Sequence, residues 1–189
     1  MNILRKIELK YKLNNCVKIA KGWTSEVFVC YLGDKKVAMK LLRQKSNRKN
    51  MVLRECENLA LANSVGVGPK LFFSDYELGF VCMEYISGVK FCDWLCSCNN
   101  KLVLMGFIKE LFRQAKELDR IGLDHGQLAG AGKNIIVRDN LPVIIDFEKA
   151  STKRKVHNLK VLESFLFKSK NSSITKKVLE LCNPRDFME

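Results

Sequence analysis

Asp124-His125-Gly126-Gln127-Leu128, followed by Asn134 and then by Ile144-Ile145-Asp146-Phe147-Glu148, is the stretch on which the fold turns. A carboxylate that follows Val143-Ile144-Ile145 on an otherwise apolar strand is hard to explain by packing, because burying an unpaired charge is costly. A hard divalent cation would give it a purpose. Asn134 and Asp146 could supply oxygens to Mg²⁺ bridging phosphate groups, an arrangement that also needs a base beside an acceptor hydroxyl. Gln127 lies seven residues before Asn134, and an amide has no useful basicity near neutral pH.

The flanking sequence predicts the frame for these residues. Short strands are expected at Ile135 to Val137 and Val143 to Ile145, with a turn at Asp139-Asn140. Upstream, Leu104, Phe107, Ile108, Leu111, Phe112, Ala115, Leu118 and Ile121 recur at intervals of three and four, a long amphipathic helix that Gly122 stops. Downstream, helices are expected at about 156–168 and 174–182. Toward the N-terminus, apolar runs at Val17 to Ala20, Val27 to Leu32 and Lys36 to Leu42 alternate with Gly-containing turns, as in an antiparallel meander of three strands. A helix is predicted over about 50–63, with Val52, Cys56 and Leu59 on one face. Glu55 falls on that same face and so needs a cationic partner. Strands at Lys70 to Ser74 and Gly79 to Tyr85 would complete a five-stranded sheet with one helix.

In this order the elements and motifs resemble the protein kinase-like superfamily. Val37-Ala38-Met39-Lys40 is similar to the kinase strand whose lysine reaches the α and β phosphates. Glu55 resembles the helix carboxylate that pairs with it, and Met83-Glu84-Tyr85-Ile86 resembles the hinge that receives adenine. His125-Gly126-Gln127-Leu128 resembles the His-Gly-Asp-Leu of RIO-type kinases, of the small archaeal kinase associated with tRNA modification and of aminoglycoside phosphotransferases. Asp146-Phe147-Glu148 resembles the Asp-Phe-Gly metal motif, in an Asp-Phe-Glu form. The resemblance covers residues 16 to about 150. It implies an α+β, bilobal protein kinase-like fold: an N-terminal sheet lobe (1–86) with its regulatory helix, and a truncated C-terminal helical lobe (87–189) carrying the catalytic loop.

The site implied by the resemblance has Gly22, Thr24, Ser25, Lys40, Glu55, Glu84 and Tyr85 around ATP, Asn134 and Asp146 on Mg²⁺, and Lys40, Gln127 and Asp146 in catalysis. Two departures stand out. One glycine, Gly22, occupies the loop over the phosphates where a typical kinase has three, so backbone groups and the Thr24 and Ser25 hydroxyls are expected to help. With 43 residues after Asp146, a full peptide-receiving helical subdomain is not expected, which points to the compact RIO-like group.

Net charge is +13, and its distribution is uneven: residues 1–50 hold 13 basic and 3 acidic side chains, residues 151–189 hold 9 and 4. The surplus fits either a solvated Lys-rich surface or a polyanionic partner such as RNA or a ribonucleoprotein. Arg43, Lys45, Arg48 and Lys49, with Lys153, Arg154 and Lys155, are the basic runs that could flank the cleft mouth. No stretch matches a signal peptide or a membrane span, so a cytoplasmic location without membrane contact is expected. Of eight cysteines, Cys16, Cys30, Cys56, Cys82 and Cys182 are scattered among apolar residues, as small buried hydrophobes of a reducing compartment would be. Cys92, Cys96 and Cys98 cluster without a familiar metal spacing.

The leading expectation is an ATP-dependent phosphotransferase, a serine/threonine protein kinase of RIO-like type in which Gln127 orients an acceptor hydroxyl. The rivals are a pseudokinase that binds nucleotide as a signal, and an RNA-associated binding module on a kinase scaffold.

Overall fold

The computed structural model describes residues 2–43, 50–130 and 132–187. Lys45, Arg48 and Lys49 lie outside the described residues. The fold is α+β. Strands β1 (Leu13–Lys21), β2 (Ser25–Leu32), β3 (Lys35–Leu42), β4 (Leu71–Asp75) and β5 (Phe80–Glu84) form one antiparallel sheet in the order β1-β2-β3-β5-β4. A smaller sheet of β6 (Val89–Lys90), β7 (Ile135–Arg138) and β8 (Leu141–Ile144) follows.

The sheet carries two helices instead of the one expected. Helix α1 (Ile3–Tyr11) begins on the Asn2 side chain, which accepts from the Leu4 N–H, and buries Ile7 against the sheet. Ile3, Leu4, Ile7 and Tyr11 recur at helical spacing, a signal that the Lys, Arg and Glu interspersed among them mask. Tyr11 stacks on Phe73 with ring centroids 5.0 Å apart, and its hydroxyl donates to Asp75 at 2.7 Å. Helix α2 (Met51–Asn63) packs on the other face and turns Met51, Val52, Glu55 and Leu59 inward, while Glu57 is exposed, as the periodicity predicts.

Beyond the sheet come α3 (Phe91–Ser97), α4 (Lys101–Arg120), α5 (Asn158–Glu163) continuing into a π turn at Ser164–Lys168, and α6 (Ser173–Leu181). Helix α4 buries the expected stripe from Leu104 to Leu118. The core does not break where the sheet ends. Met51, Val52 and Leu59 of α2 belong to the same buried cluster as Leu111 of α4 and Phe147.

Two of the cysteines depart from expectation. Cys16 and Cys30, on neighbouring strands β1 and β2 with Cα atoms 4.1 Å apart, are joined in a disulfide and are not two separate small hydrophobes. Their 14-residue separation gives no hint of this; hairpin pairing around a β-bulge brings them face to face. Among the described residues, no helix is long and apolar enough to cross a membrane.

Candidate active site

A cleft of about 870 Å³ lies between the sheet and the β7–β8 insert, and all ten residues singled out from the sequence line it: Gly22, Thr24, Ser25, Lys40, Glu55, Glu84, Tyr85, Gln127, Asn134 and Asp146. They come from β1 through the turn after β8, so only folding assembles them.

The charged centre is built around Lys40. Its ammonium lies 2.8 Å from Glu55 Oε2, 2.6 Å from Asp146 Oδ1 and 3.5 Å from Glu148 Oε2. Strand alternation turns Met39 and Leu41 into the α1-side core and Lys40 to the α2 side. Glu55, almost wholly buried, also accepts the Phe147 N–H through Oε1 at 3.1 Å, so one carboxylate ties α2 to both β3 and the turn after β8. Burial works against the Lys40 charge, yet Glu55 and Asp146 outweigh it and hold its pKa above the usual lysine range. Burial pushes the Glu55 carboxyl up against the pull of Lys40. For Asp146 burial also acts upward, but the Lys40 ammonium wins and the carboxyl is held below its ordinary value.

Asp146 has φ +68°, a left-handed conformation that is uncommon outside glycine. The turn after it is pinned by Asn58, whose buried amide donates to the carbonyls of Phe147 and Ala150 at 3.0 and 2.8 Å. Glu55, Asp146 and Glu148 bring one carboxylate oxygen each within 4.8 Å of one another, a donor set suited to a hard cation once Lys40 shifts. Glu148, absent from the expected ligands, is the residue most easily overlooked. Its place in Asp-Phe-Glu was visible, but its contact with Lys40 and with the Thr24 hydroxyl 3.3 Å away depends on the cleft geometry.

The roof loop between β1 and β2 is held by backbone and by an arginine more than by glycine. Gly22 N–H donates to Ser25 O at 2.8 Å, and a Cβ on Gly22 would meet nothing nearer than 3.5 Å. The Arg43 guanidinium donates to the carbonyls of Gly22 and Trp23, both at 3.1 Å, so this cation belongs to the loop and not to an open basic patch. Ser25 is buried, Thr24 faces Glu148, and Trp23 is 95% exposed at the loop tip.

At the opposite rim, the Glu84 N–H is committed to Lys70 O, and its carboxylate pairs with Arg138 at 2.6 Å. Tyr85 lies under the Lys36 ammonium, 4.4 Å from ring centroid to nitrogen.

The loop 124–130 is set by residues behind it. His125 is buried and donates from Nε2 to Ile145 O at 3.0 Å, and its own N–H reaches Asn158 Oδ1 at 2.9 Å. Burial lowers the His125 pKa, so the ring works as a neutral strut. Asn158 in turn bonds Asp119 and Leu123 O. Asn134 donates to Gln127 O at 3.2 Å and accepts the Ile145 N–H on its backbone at 2.9 Å, linking the loop to the segment between β8 and Asp146. Asp124 is bound by Arg154 Nε at 2.8 Å, and Arg154 Nη2 also donates to Lys149 O at 2.6 Å. Arg154 is therefore engaged in structure, like Arg43, and the open basic runs are smaller than the sequence implied. The Gln127 side-chain amide, half-buried, has no hydrogen-bond partner among the described residues.

In comparisons with known proteins, no family model matches the chain and no curated protein matches it.

Proposed function

We propose that this protein is a small two-lobed phosphotransferase of the kinase-like type, closest in design to the RIO-like group, that binds Mg·ATP in the 870 Å³ cleft. The observation carrying this reading is Lys40, whose one ammonium joins a helix carboxylate and a post-strand carboxylate at 2.8 and 2.6 Å on the cleft wall. A structural ion pair would need one acid; a lysine shared among acids is positioned to exchange one of them for phosphate oxygens. Asp146 would hold Mg²⁺, with Glu148 and the Asn134 side chain as further oxygen donors. Bound Mg²⁺ would neutralise charge developing on the transferred group. Lys40 would orient the phosphates, Glu55 would hold Lys40, and the loop from Gly22 to Ser25 would cover them. Transfer rests mainly on positioning and charge neutralisation, and general-base help is worth roughly 10²–10⁴-fold.

A second reading is favoured by Gln127 itself: a nucleotide-binding protein without transfer, whose closure a partner senses. An RNA-associated scaffold is a weaker proposal, since Arg43 and Arg154 are occupied.

The test is thermal unfolding with and without Mg·ATP, because a ligand binding only the folded state raises stability by mass action. Wild type should shift upward, and Lys40→Met and Asp146→Ala should lose most of the shift, each measured against its own ligand-free baseline. No shift in wild type at millimolar nucleotide overturns the reading.

A further inference from the structure

Gln127 lines two cavities. One is the cleft above; the other, of about 340 Å³, opens on the far side of the same loop and is lined by Asp124, the backbone from Gly126 to Gly130, His157, Asn158 and Val161. A group held in the second cavity would meet the cleft at Gln127, where an acceptor must lie.

The charges around that junction are cationic. Lys133 and Lys149 both line the cleft, both are exposed, and neither has an ion-pair partner among the described residues. Both adjoin the Gln127 loop through the backbone. Lys133 precedes Asn134, whose amide holds Gln127 O at 3.2 Å, and the Lys149 carbonyl packs against Gly126, 3.1 Å from where a Cβ would stand. The nearest acid in the second cavity, Asp124, is neutralised by Arg154 at 2.8 Å, and His157 beside it is half exposed. Glu55, Asp146 and Glu148 are gathered on Lys40.

Resting on the phosphotransfer reading, we propose that the acceptor is an oxygen that arrives already ionised: a phosphate monoester whose body sits in the second cavity and whose phosphate enters, at Gln127, the cleft that Lys133 and Lys149 also line. A hydroxyl must shed a proton when it becomes a phosphate ester, and the site offers an amide there. A phosphate oxyanion has no proton to shed. Its oxygen forms a bond to the γ-phosphorus as the bond from the β–γ bridging oxygen to that phosphorus breaks; the electron pair leaves on ADP, and the product is a diphosphate ester. Atoms and charge balance without a base. What this reaction requires is relief of repulsion between two anions, which two unpaired ammonium groups supply.

The experiment offers γ-labelled ATP and Mg²⁺ to the full chain with matched acceptors: nucleoside monophosphates and a 5′-phosphorylated oligoribonucleotide, each beside its 5′-hydroxyl counterpart, and a Ser/Thr peptide pool. Label should enter the phosphorylated acceptors as a diphosphate. Preference for the mononucleotide or the oligonucleotide identifies the source. Lys133→Met with Lys149→Met should cut kcat/KM for the acceptor by about 10-fold or more, with Arg at both positions restoring most of it. Gln127→Asp should slow this transfer, because a new carboxylate repels an anionic acceptor; a base-deficient hydroxyl kinase would be accelerated by the same change. Transfer to hydroxyl acceptors alone, transfer to none while Mg·ATP still stabilises the fold, or acceleration by Gln127→Asp overturns the proposal. Absence of nucleotide stabilisation would overturn the phosphotransfer reading beneath it.

Discussion

The two ends of the cleft handle charge in opposite ways. Around Lys40, one ammonium faces three carboxylates within 3.5 Å, and nearly every donor and acceptor is spoken for. Around Gln127 the side chain is neutral and unpartnered, and the nearby ammonium groups of Lys133 and Lys149 face solvent. The first end is held by buried interactions that also join α2, β3 and the turn after β8, so it carries stability as well as chemistry. The second is shaped by backbone and by struts behind the loop, leaving its surface free for a ligand.

Lys40→Met should break that contrast most severely. It strands Glu55 and Asp146, and losing one partner of a buried ion pair costs about 3–5 kcal/mol, measurable by denaturant unfolding at neutral pH. The sign with pH follows from the shifts. Glu55, raised in the folded state, contributes stability at low pH that is lost as pH rises through its folded value. Asp146, depressed, contributes stability above its ordinary range that is lost as pH falls through its folded value. Without Lys40 both shifts move upward, so the variant's deficit should shrink as pH falls through the carboxylate range. A deficit independent of pH would mean that packing, not charge, is what Lys40 supplies.

Asn58→Leu should come next. Leaving the Ala150 carbonyl unpaired in the core, and taking from the Phe147 carbonyl one of its two donors, costs about 1–3 kcal/mol by the usual penalty for a buried polar group, and it should weaken Mg·ATP stabilisation by loosening Asp146. If stability falls while the nucleotide shift is intact, Asn58 serves the core alone.

At the Gln127 end, Gly126→Ala should cost about 1–3 kcal/mol, because φ is +75° and the new methyl meets both Arg154 and Lys149 O. A larger loss of transfer than of stability would show that loop shape governs acceptor placement. The smallest effect is expected at Gly22→Ala, within about 0.5 kcal/mol, since its backbone is ordinary and its surroundings are open. Calorimetry on this variant would also show whether the roof loop depends on Arg43 more than on glycine.

Much of this was written in the sequence. Every strand but β6, with α2 and α4, follows from local periodicity, and Glu55 was marked by lying on an apolar face, where only a partner such as Lys40 justifies it. Asp146 was marked in the same way by the apolar strand before it. Helix α1 was legible too, from Ile3, Leu4, Ile7 and Tyr11 at helical spacing, but periodicity could not show the two-residue strand β6. Nor could spacing show that Cys16 meets Cys30, that Glu148 joins Lys40, or that Arg43 and Arg154 are struts and not free cations. Local pattern fixes which face of an element is apolar, because that depends on neighbours three or four residues away. Which of the site's charges meet, and which are left open to a ligand, is decided between residues as far apart as Lys40 and Glu55, 15 positions, or Lys40 and Asp146, 106, where only the packed chain sets the distances.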